Sequence, residues 1–207
     1  PSWHSARASI EHDHSGNQVQ VWRLSDLSLM KTIKLPGPDA PNEPRVLQDG
    51  RTVLVNTGAC RLYRVAGLDG ADPQVQLVHD ATTPGCATPV VVGKYWIQAN
   101  APDRRVFVLD VSDLTNVRQV SSVSFDDRQR PHWLATDGTR VVMTNEPRPE
   151  ADRRMWMLRL DRSTGQLSVD SGFRDAGSDR PGVAFDRPSW PHGATGTAVP
   201  HGTVFGW

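Results

Sequence analysis

Residues 131–145 read PHWLATDGTRVVMTN. Apolar and polar residues alternate up to Asp137-Gly138, and an apolar run rich in β-branched residues follows. Asp-Gly between two such runs is a strong signal for a tight hairpin turn. The unit returns at residues 45–57, RVLQDGRTVLVNT, and at residues 88–100, TPVVVGKYWIQAN, with Val92-Gly93 at the turn. Gly50, Gly93 and Gly138 are about 43 and then 45 residues apart. A period in that range, with four strands per unit, is the signature of a β-propeller blade.

The fold class expected is therefore all-β: four-stranded antiparallel blades, about four in this chain, within a ring of seven. Blades are expected near residues 6–35 plus 199–206, 42–80, 86–125 and 131–175, with a loop-rich stretch at 176–198. In the first, ARASIE (6–11), NQVQVWRL (17–24) and LMKTIKL (29–35) read as strands, and HDHSG (12–16) as a turn. The second has strands near 45–48, 52–57, 60–66 and 74–80. In the fourth, the third strand is 155–160 and DRSTG (161–165) turns into the outermost strand. Residues 199–207, VPHGTVFGW, resemble the start of an innermost strand that would complete the first blade and leave no exposed edge. The chain starts in what reads as mid-blade, so a fragment or a processed form is expected. Trp22, Tyr63, Phe107 and Trp156 fall at equivalent third-strand positions, and packing between blades is their expected role. Residues 103–105 and 150–154 read as solvated loops, and Asp126-Asp127 with Arg128 and Arg130 as a charged one.

The 207 residues balance 23 basic against 23 acidic side chains. No cationic excess exists to displace counterions, which argues against nucleic acid as the main partner. No apolar run approaches the roughly 20 residues of a membrane span. Gly-rich phosphate loops are absent, and no Ser/His/Asp order fits a hydrolase.

Propeller topology gathers scattered residues onto one rim. Innermost strands start there, and the turns between second and third strands return there. His12 and His14 lie in such a turn. His132 and His201 each follow a proline at the start of an innermost strand, and His192 lies in SWPHG. His79 ends an outermost strand. Imidazoles converging from several blades could hold a transition metal such as copper, zinc or iron. Surface-turn, capping and structural-turn roles are the rival readings. Cys60 and Cys86 fall on the same rim, with a disulfide as the first reading, buried free thiols as the second and a thiolate metal ligand as the third.

NEPRVLQDGRTVLVNTGACRLYRV, PHWLATDGTRVVMTN, the DRSTGQLSVD turn and the closing WPHG…VPHGTVF together resemble the selenium-binding protein and methanethiol oxidase group of propellers, with YVTN-type repeats. The resemblance implies a seven-bladed ring and copper-dependent oxidation of methanethiol at pore-facing histidines. It carries over to His192 or His201, and to His132. A small-molecule thiol is the implied substrate, and export to the periplasm or outside the cell the favoured location. The alternative is a non-catalytic propeller that binds a small ligand or a protein at its rim.

Overall fold

The structure is a computed structural model that describes residues 16–37, 40–81, 83–149 and 151–205. Every regular element among them is a strand. The chain divides into two compact units, residues 1–85 and 86–207.

The first unit holds a two-stranded sheet and a four-stranded one. β1 (Gln18–Arg23) pairs with β2 (Ser28–Lys34). β3 (Pro41–Val46), β4 (Val53–Thr57), β5 (Arg61–Ala66) and β6 (Gln74–Asp80) then form an antiparallel meander in chain order. All five residues of β4 are buried, because both faces of this inner strand are covered. Ile33 and Leu35 pack with Val53, Val55, Tyr63 and Val65 into one apolar cluster. Tyr63 closes it, its hydroxyl donating to the Pro36 carbonyl at 3.0 Å.

The second unit repeats the meander twice. β7 (Val90–Val92), β8 (Tyr95–Asn100), β9 (Arg105–Asp110) and β10 (Arg118–Ser124) form one sheet. β11 (Pro131–Thr136), β12 (Arg140–Asn145), β13 (Arg154–Leu160) and β14 (Leu167–Val169) form the next. The two sheets share a core that includes Tyr95, Ile97 and Val108 from one and Met143, Trp156 and Leu158 from the other. Ser121 locks them, donating to the Gly165 carbonyl and accepting from the Leu167 amide.

The expected turn chemistry is present. Gly50, Gly93 and Gly138 all have positive φ, the conformation that glycine adopts at least cost. Asp49 and Asp137 accept from amides two and three residues on, and their carboxyl pKa values are held at about 2. A second repeat signature lies at the other end of the hairpin. Asn56, Asn100 and Asn145 lie at or next to the last residue of the second strand of a blade and are buried. Asn145 accepts from the Arg130 amide and donates to Gln129 and the Asp152 carbonyl.

Several expectations need correcting. Arg105 opens β9, and Arg154 opens β13 and is only 8% exposed. A loop of mixed charges is commonly solvated, but Arg154 is not. Here Asp152 and Asp175 pair with it, and Pro181 and Gly182 carbonyls accept from it. The loop-rich stretch after residue 175 also contributes a short strand, β15 (Val183–Ala184), which pairs with β13. Residues 199–205 form no strand. Trp22 is 45% exposed rather than packed. The strand and turn expected over 6–15 lie outside the described residues.

Candidate functional site

The site is built where β11 begins. Pairing with β12 runs Pro131 to Asn145 and then Trp133 to Thr144, so His132 has no cross-strand partner. It is the extra residue of a β-bulge, a device that re-aims a side chain. The imidazole turns toward His201. The two rings stack with centroids 5.0 Å apart and planes 19° apart. Thr144, opposite Trp133, fixes the second ring by donating from its hydroxyl to the His201 carbonyl at 2.9 Å. The shared proline-histidine pattern thus leads to two side chains in contact.

The surroundings are polar on one side only. Glu146 accepts from Arg130 at 2.9 Å and from Arg148 at 2.8 and 3.0 Å. Burial lowers the His132 pKa below the ordinary imidazole value, and the His201 charge adds to this. Glu146 acts in the opposite direction without overcoming it. The neutral form of His132 is thereby favoured. Its Nδ1 is buried with no hydrogen-bond partner, and the same is true of Trp133 Nε1. Two adjacent orphaned polar atoms are unusual, since nearly all buried polar atoms are satisfied.

The other candidate residues divide. His192 is exposed and lies 6.2 Å from Trp190, ring to ring. Trp190 closes its own tight turn, bonding Ala194 and Gly196 and lying under Arg187. That favours the structural-turn reading of SWPHG. His79 sits half-buried on β6, its pKa lowered by burial with Asp80 opposing. His12 and His14 lie outside the described residues. Among the described residues, no group of three or more His, Cys, Asp or Glu side chains is arranged to hold a metal ion. Cys60, buried in the first unit with φ of 63°, occupies the turn before β5. Cys86, buried in the second, makes an isolated bridge with Asn100, whose amide nitrogen is 4.0 Å from its sulfur.

The bulge and the two orphaned nitrogens were not foreseen. A proline-histidine-tryptophan start to a strand is the only sequence signal for them. The first unit also has a groove of about 350 Å³ lined by Lys31, Ile33, Lys34 and Val75. Its Lys31 ammonium is taken up by the Leu68 and Gly70 carbonyls.

No family model matches the chain, and no curated protein matches it in sequence. Solved structures do match in fold. A hypothetical selenium-binding protein from Sulfolobus tokodaii superposes with a TM-score of 0.63 at 18% identity, over 78% of this chain and 47% of that one. A candidate 6-phosphogluconolactonase from Bacteroides uniformis gives 0.56 at 15% identity, over 73% and 49%. A protein from Lactobacillus plantarum gives 0.57 at 16% identity, over 84% and 52%. The chain spans about half the length of these structures. With its antiparallel four-stranded sheets, the fold is that of β-propeller blades.

Proposed function

We propose that the His132–His201 end of the second unit is the binding centre of a β-propeller, and that its occupant is a transition metal ion. The observation that carries this reading is the buried His132 Nδ1 without a partner, beside a second imidazole. An unsatisfied buried polar atom costs about 1–3 kcal/mol, and a ligand that engages it removes that cost. The neutral form of His132 is the one whose lone pair is free to coordinate. His132 suits the role as it stands. His201 does not, because imidazole lone pairs lie in the ring plane and two rings 19° from parallel do not converge on one ion. His201 would have to turn, and its exposed position leaves room for that.

Copper is the metal favoured by the resemblance, and oxidation of a small thiol is the finer reading. A bound copper ion would stabilise a thiolate and accept electrons from it. His192 remains a candidate for a further ligand. A periplasmic or secreted location goes with this reading.

The near-parallel stacking favours a second reading, a non-catalytic propeller that binds a small ligand or a protein at this rim. Calorimetric titration of the full chain with Cu²⁺ and Zn²⁺ separates the two. His132→Ala and His201→Ala should each weaken binding at least about tenfold, or ~1.4 kcal/mol. Affinity should fall as pH drops through the His132 pKa, which lies below the ~6.5 of free imidazole. Unchanged stoichiometry and affinity in both variants would leave the binding-module reading.

A further inference from the structure

We propose that residues 199–205 are a removable strap covering His132 and Trp133, and that ligand reaches His132 only when the strap lifts. The inference rests on reading His132 as the binding residue. It goes further in making access a property of another segment.

The strap is traced by its contacts. His201 stacks on His132. A β-carbon on Gly202 would sit 3.5 Å from the Trp133 indole, so the backbone there lies against that ring. Thr203 Oγ1 is 3.9 Å from Met155 Sδ. The Phe205 ring lies 5.5 Å from the Arg140 guanidinium, at the opposite end of the β11–β12 hairpin from His132. The segment therefore lies over both side chains with orphaned nitrogens and reaches β13 and the start of β12 beyond them.

Its attachment differs from that of the chain before it. Residues 197–198 are pinned: Arg153 donates to Thr197 at 2.7 Å, and the Ala198 amide donates to the Phe185 carbonyl at 3.0 Å. From Val199 on, no strand forms among the described residues. The bond from Thr144 to the His201 carbonyl and the ring contacts are what anchor it. Val199 and Val204 turn to solvent on its outer side. A segment held by side-chain contacts and no backbone ladder opens at a lower free energy than the sheet beneath it. Lifting it also hydrates two polar atoms that are unsatisfied when it is down, which lowers that free energy further.

Diethyl pyrocarbonate labels accessible neutral imidazoles and reads the strap without any ligand. The full chain is labelled at pH 7 and the histidines are resolved by peptide mass spectrometry, with exposed His192 as internal reference. His132 should react about tenfold more slowly than His192, since its Nδ1 is buried and His201 stacks on its ring. Phe205→Ala removes an anchor at the surface, and Thr144→Val removes the bond to His201. Each should speed labelling of His132 severalfold and leave half-buried His79 unchanged, which excludes global unfolding as the cause. Equal labelling of His132 and His192 in the unaltered chain would overturn the strap, as would unchanged protection in both variants. Zn²⁺ uptake followed by stopped flow separates the two proposals. If labelling accelerates but Zn²⁺ does not bind, the strap stands and the metal reading falls. If Zn²⁺ binds at one rate in all three proteins and protection is unchanged, the metal reading stands and the strap falls.

Discussion

The β1–β2 pair and the β11–β14 sheet carry the same motif in opposite settings. Each presents a tryptophan from an equivalent strand, Trp22 on β1 and Trp156 on β13. Each indole donates to a glutamine, Gln20 at 3.1 Å and Gln129 at 2.9 Å. Trp22 is nevertheless 45% exposed, whereas Trp156 is 7% exposed and packs edge-on against Phe125 with ring centroids 5.2 Å apart. Gln129 is fully buried and serves four partners: Trp156, Asn145, Asp126 and Asp152. Gln20 serves an exposed pair. A local pairing stabilises in proportion to what covers it, because water competes for every exposed bond.

Truncating the two tryptophans gives the largest expected contrast. Trp156→Ala removes a core ring and should cost about 3–5 kcal/mol. Trp22→Ala should cost less than about 1 kcal/mol, as surface substitutions do. Urea unfolding followed by circular dichroism measures both, and equal losses would break the comparison. Gln129→Leu should follow at about 2 kcal/mol, because the Trp156 indole is left buried without an acceptor and Asn145 keeps only the Asp152 carbonyl. Gln20→Leu should fall within about 0.5 kcal/mol of the unaltered chain.

The blade pattern was legible because its determinants are local. Asp-Gly turns and runs such as VLVNT and VVMTN specify strands and connections without reference to distant residues. The polar interior was less legible. A buried Arg154 depends on Asp152 nearby and on Asp175, which is far along the chain, and a charged loop and a buried ion pair share one composition. Trp22 shows the reverse limit: position in a repeat says which side a residue faces, but not whether anything covers that side. At the candidate site two matching Pro-His steps drew attention to His132 and His201, but the contact comes from a strandless segment laid on β11 rather than from a second innermost strand. The orphaned nitrogens did not, since a bulge is a property of pairing register. His192 resembled its neighbours in sequence, but Trp190 holds it in a separate turn.

The smallest expected effect tests whether burial at His132 is energetic as well as geometric. Its pKa is lowered in the folded chain, chiefly by burial, so the unfolded chain binds more protons between the two values. Stability then rises with pH across that window. The contribution is fully present above the unfolded value of about 6.5 and is lost as pH falls toward the lower folded value. His79 shifts in the same direction and contributes in the same window. His132→Asn removes one titration and leaves the other, so its unfolding midpoint should decline less steeply from pH 7.5 to pH 5 than that of the unaltered chain. His79→Asn serves as the matched control. Its curve should also flatten, but Phe205→Ala should then flatten the His132-dependent part alone, because lifting the strap lets water reach that imidazole and brings its pKa back toward 6.5. Parallel curves for the unaltered chain and His132→Asn would mean that His132 is already hydrated, and neither the strap nor its neutral imidazole would survive.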